Sequence, residues 1–504
     1  MDDLIFCLDS GTTTVKAAAF DTRGRLVVVT ERANGALRRE GLQVEQDMLV
    51  SRDDALAVLK DCVSQTQGTA IGLVVTGQGD GLWPVDRHGD PVGRAMTWLD
   101  GRSRSLVSRL DGRCVLTCVE KLTSVRPTAA TQSVQLLWLQ LNEPERYEQV
   151  AHVLRIKEWL FLCLTGEVRA EPTSLLHTWG NWRTGELITE IDQVLGLKRG
   201  TSLVPDMQPI GECVAGLSDD LARDLGLPSG LPVLMGPGDV QASMIGLGLG
   251  LRQNVDRCSI FGTSAIHACL IEDPSEIRNK PSGALIQPFA IGGYFCSYPS
   301  FNGTTLFEHV ARLTGRADLS RGAKPAFSSL IMHPFFEPGG ERSPYTTPHA
   351  KGAMIGLTSA TTPEQIAWAA REALVFLARK SHDMMAEGGG AIALGGGLAA
   401  DNAFTSFMAT SNLRDVHRTT TGHASLKGVG SLGAMHLLGA SRQTLGDDWI
   451  GPADDVSRPE QGAVADYAQR KYALFLTLVD AIEPRWAELS ALAELSATQT
   501  KDNA

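Results

Sequence analysis

Two short stretches of the chain carry the same hydroxyl-rich turn, LDSGTTTVKAAAF at 8–20 and IFGTSAIHACL at 260–270. A shift of 251 positions lays Gly11 on Gly262, Thr12 on Thr263 and Thr13 on Ser264. A hairpin tip of this composition offers free backbone N–H groups and hydroxyls in one small space. Its glycine omits the Cβ that would hold an anion away. One such tip is commonplace. Two at matching places in two halves predict facing cradles that hold a polyphosphate between them. The copies differ in charge, with Asp9 before the first turn and Ile260 before the second. A carboxylate on one side only suits a Mg2+ ion riding on phosphates, largely through waters. Lys16 falls where the second copy has His267; a lysine at a hairpin base either reaches a phosphate or faces solvent.

Phosphoryl transfer also needs a group that positions and deprotonates the accepting hydroxyl. Asp239, in MGPGDVQASMIG, follows a strand and a Gly-Pro-Gly turn and opens a helix. By spacing alone it is equally a general base and a cap for the helix after it. The same stretch lacks the third glycine of a dinucleotide fingerprint and the acidic partner of a βαβ unit, which excludes a Rossmann site.

The elements that must position these residues alternate in type. DLIFCLD, VKAAAFD and LVVVTER read as an antiparallel meander, and SRDDALAVLKDCVSQT has helical periodicity. AIGLVVTGQGDGLWPVD is a strand, a glycine-rich loop and a second strand, and 105–200 is mainly helical in pattern. The second half repeats the mixture. CSIFGTSAIHACLI is a hairpin, TPEQIAWAAREALVFLARKSHDMMAEGG a long helix, AIALGGGLAADNAF a strand, glycine turn and helix, and GHASLKGVGSLGAMHLLGA a small-residue helix that packs closely. The final stretch LSALAELSATQTKDNA has no periodic support and is expected to fray.

A chain of 504 residues predicts two domains, with the boundary near residue 252: one lobe over 1–252, a second over 253–504. The net charge of −11 excludes a nucleic-acid surface, which needs a basic stripe. The acidic start MDDLIFCLDSG enters a strand at once, so no signal peptide is expected, and no apolar run reaches membrane-spanning length. Nine scattered cysteines predict reduced thiols in a cytoplasmic protein. Cys114 and Cys118 lack the second pair that a zinc site requires.

Together these motifs resemble the FGGY carbohydrate kinases, the family of glycerol, xylulose and ribulose kinases, over nearly the whole chain. DSGTTTVKAAAFD resembles the first phosphate motif, FGTSA the second, GGGLAADNAF (395–404) the adenosine motif, and ERSPYTTPHAKGAMIGLT (341–358) the P-x-A-x-G-x-x-x-G-L signature. VEQD (44–47) is a further family mark, with Gln43 where a tryptophan is frequent. The resemblance implies an α/β fold of the two-lobed, actin-like (ribonuclease H-like) kind, with duplicated mixed-sheet domains and a cleft between them. It implies ATP and Mg2+ as cofactors, a small sugar or polyol as partner, and a homodimer. It decides Asp239 as general base. Gly11, Thr12, Thr13, Lys16, Gly262 and Thr263 are then expected at the phosphates, Gly396, Gly397 and Asn402 at the adenosine, and Asp9 at the metal. TGQGDGLWPVD (76–86) and TWLDGRS (97–103) resemble substrate loops, with Gln78 and Asp80 as hydroxyl acceptors and Trp98 as an apolar wall. Glycerol kinases carry Arg-Glu and xylulose kinases Met-His where this chain has Gly79-Asp80. The GQGDG form is most similar to the branch that includes erythritol kinases. Two other functions use the same core: an actin-like conformational ATPase, which has no polyol pocket, and a sugar sensor that has lost its catalytic carboxylates.

Overall fold

The computed structural model describes residues 2–502 apart from 274, 276–282, 321, 338, 386–387 and 421. Its frame is two mixed sheets built to one plan. In the first, the strand Asp2–Ser10 lies between an antiparallel partner, Thr14–Asp21, and a parallel one, Gly68–Gly77. Leu26–Ala33 extends the antiparallel side, and Pro232–Gly238 followed by Val214–Gly216 extends the other. The second sheet repeats this order around Val255–Phe261. Ala265–Ile271 and then Tyr294–Ser300 and Leu285–Pro288 stand on one side, with Ala391–Gly396, Val416–Arg418 and Asp455–Ser457 on the other. Near-continuous apolar runs such as Leu4–Leu8 form the central strands because helices cover both faces. Between the sheets one buried cluster joins Ile5, Cys7, Val74 and Leu234 to Cys258, Ala393 and Leu426.

The parallel register does the positioning. Ser10 pairs with Gly77, and Gly77 with Gly238, so three strands end in line. Asp9, Gln78 and Asp239 therefore emerge at one carboxyl edge, where open α/β sheets bind ligands. The helix Asp239–Gly246 then crosses Ala424–Leu438 at very close range. A Cβ on Gly246 would collide with the Ala424 carbonyl, and one on Gly428 with the Ala242 carbonyl. Small residues at this crossing clamp the Asp239 helix to the C-terminal part of the chain.

Three expectations are corrected. Gly236-Pro237-Gly238 is not a turn but the end of a strand, bulged between Met235 and Gly238. Pro237 lacks the N–H for a ladder bond, and its carbonyl instead accepts from Thr76 Oγ1 at 2.6 Å. Of the C-terminal stretch expected to fray, residues 489–502 are helical within Trp486–Asp502, consistent with strong helix formers (Ala, Leu, Glu) outweighing the missing apolar stripe; residues 503 and 504 lie outside the described residues. The third concerns the repeat. Asp9 faces Lys16 across the first hairpin, but Ile260 faces Ile266 across the second. Counted between the last pairs, Ser10–Val15 and Phe261–Ala265, the second turn (262–264) is one residue shorter than the first (11–14), so Ile266 is the counterpart of Lys16. His267 is buried, bonded to Ser259 Oγ at 3.0 Å, which also bonds His382 at 2.9 Å.

Candidate active site

A cleft of about 300 Å3 opens at the carboxyl edge of the first sheet. Thr12, Gln78, Asp80, Trp98 and Asp239, all expected at the site from the sequence, line it. Asp239 is the first residue of its helix but does not cap it, since Gly238 holds the N-cap position and the carboxylate accepts from the adjacent Val240 N–H at 2.8 Å. The Gly79 N–H also points at it, which the close approach of Gly238 to Gly79 permits, a Cβ on Gly238 falling 3.1 Å from Gly79 Cα. Burial raises the Asp239 carboxyl to about 7, helped by the charges of Asp9 and Asp80 against the Val240 N–H. A carboxyl so tuned is suited to take a proton near neutral pH.

Asp80 behaves oppositely. Burial pushes its carboxyl up, but the hydrogen bond from His177, with the charges of Arg155 and Arg342, holds it below the ordinary value. His177 Nε2 lies 3.2 Å from Asp80 Oδ1, and its Nδ1 lies 2.8 Å from Gln287 Nε2. The direction of this relay follows from the backbone. Gln241 Nε2 donates to the Pro288 carbonyl at 3.1 Å and to Gln287 Oε1 at 3.2 Å, while its Oε1 accepts from the Ala290 N–H at 3.3 Å. Gln287 must then donate to Nδ1, which leaves the Nε2 proton of His177 for Asp80. Asp80 is thus anchored through a helix of the first half to a strand of the second.

The opposite wall is equally fixed. Trp98 Nε1 donates to Thr12 Oγ1 at 2.9 Å, Thr12 donates to Gln78 Oε1 at 3.1 Å, and Gln78 Nε2 donates to Gln46 Oε1 at 2.5 Å. Gln78 is buried, and its amide is engaged by Thr12 and Gln46 rather than presented as a free acceptor. The loop bearing Trp98 is pinned by Thr97 Oγ1 to the Val44 carbonyl at 2.7 Å and by Asp100 to the Val44 N–H at 3.0 Å. Arg102 joins Asp100 and Glu45. This is the local work of the VEQ stretch.

The remaining predicted residues stand outside the cleft lining. Gly11, Thr13, Gly262 and Thr263 form the two tips, where Asn34 braces the first through Gly11 O at 2.9 Å and the Thr304 N–H braces the second through Gly262 O at 2.8 Å. Lys16 lies opposite Asp9. Gly396 pairs with Phe261 and adopts φ +85°, where a Cβ would strike the Phe261 carbonyl, so the glycine turn sits directly against the second hairpin. Gly397 and Asn402 are exposed beside it, and Asn402 Oδ1 accepts from Arg418. Asp9 is buried; burial raises its carboxyl, opposed by Ser425 and Lys16. Ser425 Oγ donates to Asp9 Oδ2 at 2.5 Å, while Oδ1 has no hydrogen-bond partner among the described residues. A buried carboxylate oxygen with no donor fits a cation or its water. Among the described residues no three acidic, His or Cys side chains converge into a cage, which suits an ion held mainly by phosphates and water. All nine cysteines are free.

His177, Gln241, Gln287, Gln46 and Arg342 were not picked out from the sequence. They are single polar residues inside helices, strands or a signature segment, and only the tertiary fold brings them together.

This chain belongs to the FGGY family of carbohydrate kinases: the family's N-terminal domain matches residues 4–246 and its C-terminal domain 302–437. It is accordingly a phosphotransferase with an alcohol acceptor. It is 25% identical to the erythritol kinase of Brucella abortus (strain 2308), over 97% of this chain and 98% of that one. It is 26% identical to the xylulose kinase of Escherichia coli (strain K12), over 75% and 78% respectively. Among solved structures, a gluconate kinase from Lactobacillus acidophilus superposes with TM-score 0.88 at 20% identity, covering 97% of this chain and all of that chain. Plasmodium falciparum glycerol kinase with ADP gives 0.80 at 16%, covering 95% and 98%. These likenesses establish the two-lobed, actin-like α/β fold. Among the described residues no helix is long and apolar enough to cross a membrane.

Proposed function

We propose that this chain is an ATP-dependent kinase of small polyols, with a tetritol or pentitol favoured over a pentulose. Asp239 takes the proton of the accepting hydroxyl. The observation that carries this is the Asp239 carboxyl, raised to about 7 inside a cleft lined from both halves of the chain. The end-to-end match to an erythritol kinase supports the polyol class, as does Gly79-Asp80 in place of Arg-Glu or Met-His.

In this reading the N–H groups and hydroxyls of Gly11, Thr12, Thr13, Gly262 and Thr263 receive the phosphates, with Lys16 beside them. Gly396, Gly397 and Asn402 receive the adenosine. Asp80, held by His177, orients the hydroxyls against Trp98, and Gln78 fixes that wall. Asp9 would hold Mg2+ through water, and the ion would neutralise charge on the transferred phosphoryl group. The lobes are taken to meet near residue 252. Free thiols support a cytoplasmic setting, and the family resemblance alone suggests a homodimer.

The test is coupled ADP release with Mg-ATP against glycerol, erythritol, the pentitols, both ribuloses and both xyluloses. A dominant tetritol or pentitol supports the proposal, whereas a dominant glycerol or ketose overturns the substrate class. Silence across the panel with ATP still bound would favour a sensor. ATP hydrolysis without sugar is expected to be slow, because substrate must complete the site and exclude water; rapid sugar-independent turnover would indicate a conformational ATPase.

A further inference from the structure

The cleft contains one cation to which nothing above assigns a task. Arg342 lines it from the C-terminal domain, and Asp80 lines it from the N-terminal domain. The backbone on both sides of Arg342 is stapled down. Glu341 accepts from the Arg342 N–H at 2.7 Å, the Phe301 N–H at 3.0 Å, Asn302 Nδ2 at 2.8 Å and Ser300 Oγ at 2.7 Å. Ser343 Oγ donates to the Pro299 carbonyl at 2.5 Å. From this base the guanidinium lies 5.4 Å from the Phe301 ring centroid. Among the described residues it makes no hydrogen bond or ion pair. Burial lowers its pKa, against the opposing charges of Asp80 and Glu341, yet an arginine remains charged in proteins. The part-exposed guanidinium at the cleft wall therefore finds its acceptors only in water or in a bound ligand.

Arg342 can only donate and the Asp80 carboxylate can only accept, whereas a hydroxyl does both. A vicinal diol between them gives its hydrogens to Asp80 and its lone pairs to Arg342. A keto oxygen has no hydrogen for Asp80, and a carboxylate in that position is repelled by Asp80. We propose that Arg342 is a substrate-binding residue that, with Asp80, clamps a vicinal diol of a neutral polyol, so that the bound polyol ties the two domains together. This rests on the polyol-kinase reading above.

The test compares wild type, R342K and R342Q with the best polyol of the panel and with its monodeoxy analogues. R342Q is expected to raise the polyol KM at least tenfold while nucleotide affinity stays within about twofold, with R342K intermediate. Deleting one hydroxyl of the clamped diol should weaken wild type about tenfold and R342Q little, a coupling that a merely structural role would not produce. An unchanged polyol KM in R342Q, or parallel losses for polyol and nucleotide, overturns the proposal. So does a wild type that prefers the corresponding aldonate. If wild type turns over no polyol, calorimetric titration still decides: polyol binding lost in R342Q supports the clamp although the kinase reading fails, and equal or absent binding in both overturns it.

Discussion

The two hairpins share a backbone plan but not a chemistry. At the first, Asp9 and Lys16 face each other and Asp9 reaches Ser425. At the second, Ile260 faces Ile266, and the polar groups beneath are Ser259, His267 and His382, buried and closed on one another. Burial pushes His267 down to about 3, so its imidazole is uncharged at neutral pH. A Cβ on Gly303 would fall 2.5 Å from the Gly262 carbonyl, a close approach that sets the second tip against the segment leading into the helix Thr305–Thr314. The difference teaches that a hairpin can be duplicated in backbone while its charged pair is kept only once. The first hairpin supplies the carboxylate that stands beside Asp239, and the second is a neutral platform abutting the glycine turn at Gly396.

Removing the proposed base should have the largest effect. Asp239→Asn is expected to keep nucleotide binding and lose about 100- to 10,000-fold in kcat, the usual worth of general-base catalysis. The same variant should be more stable than wild type at alkaline pH. The folded carboxyl keeps its proton up to about 7, while an unfolded aspartate loses it near 4. Folding therefore becomes less favourable as pH rises through that window, and thermal melts should show a gain of about 4 kcal/mol at pH 8 that vanishes near pH 4.

Next in size is the asymmetry itself. Asp9→Asn should lower kcat about 100-fold, the scale of losing one transition-state electrostatic partner, and shift the Mg2+ titration to higher concentration. An unchanged titration would take Asp9 away from the metal. Ile260→Asp, which copies the acidic partner into the second hairpin, should restore nothing to Asp9→Asn. It should cost about 1–3 kcal/mol, because a partly buried carboxylate there finds no cation opposite; urea melts measure this.

Smaller effects probe what holds the acceptor. His177→Ala should raise the polyol KM about tenfold with less change in kcat, since Asp80 loses the donor that orients it. Ser425→Ala should be the mildest, about 1 kcal/mol of stability, because it removes one hydrogen bond to a carboxylate that keeps its place in the sheet.

Much of this was legible in residue types alone. Hairpin tips, apolar strands and Asp239 at a strand-to-helix junction are local patterns, and local patterns survive folding. What escaped was set by register and distance. The one-residue difference between the loops, which replaces His267 by Ile266 as the counterpart of Lys16, depends on strand pairing. Gly236-Pro237-Gly238 has turn composition, yet pairing with Gly68–Gly77 draws it into the sheet. The Gln241–Gln287–His177–Asp80 relay joins residues up to 207 positions apart (80 to 287), each unremarkable in its own segment.

The most direct test of the account is the pH dependence of kcat/KM for the polyol in the wild type. A base with its carboxyl at about 7 must be ionised to act. Activity should be full above that pH and fall tenfold per unit below it. A profile flat from about pH 5.5 to 8.5, with phosphoryl transfer intact, would contradict the assignment of Asp239 as the base.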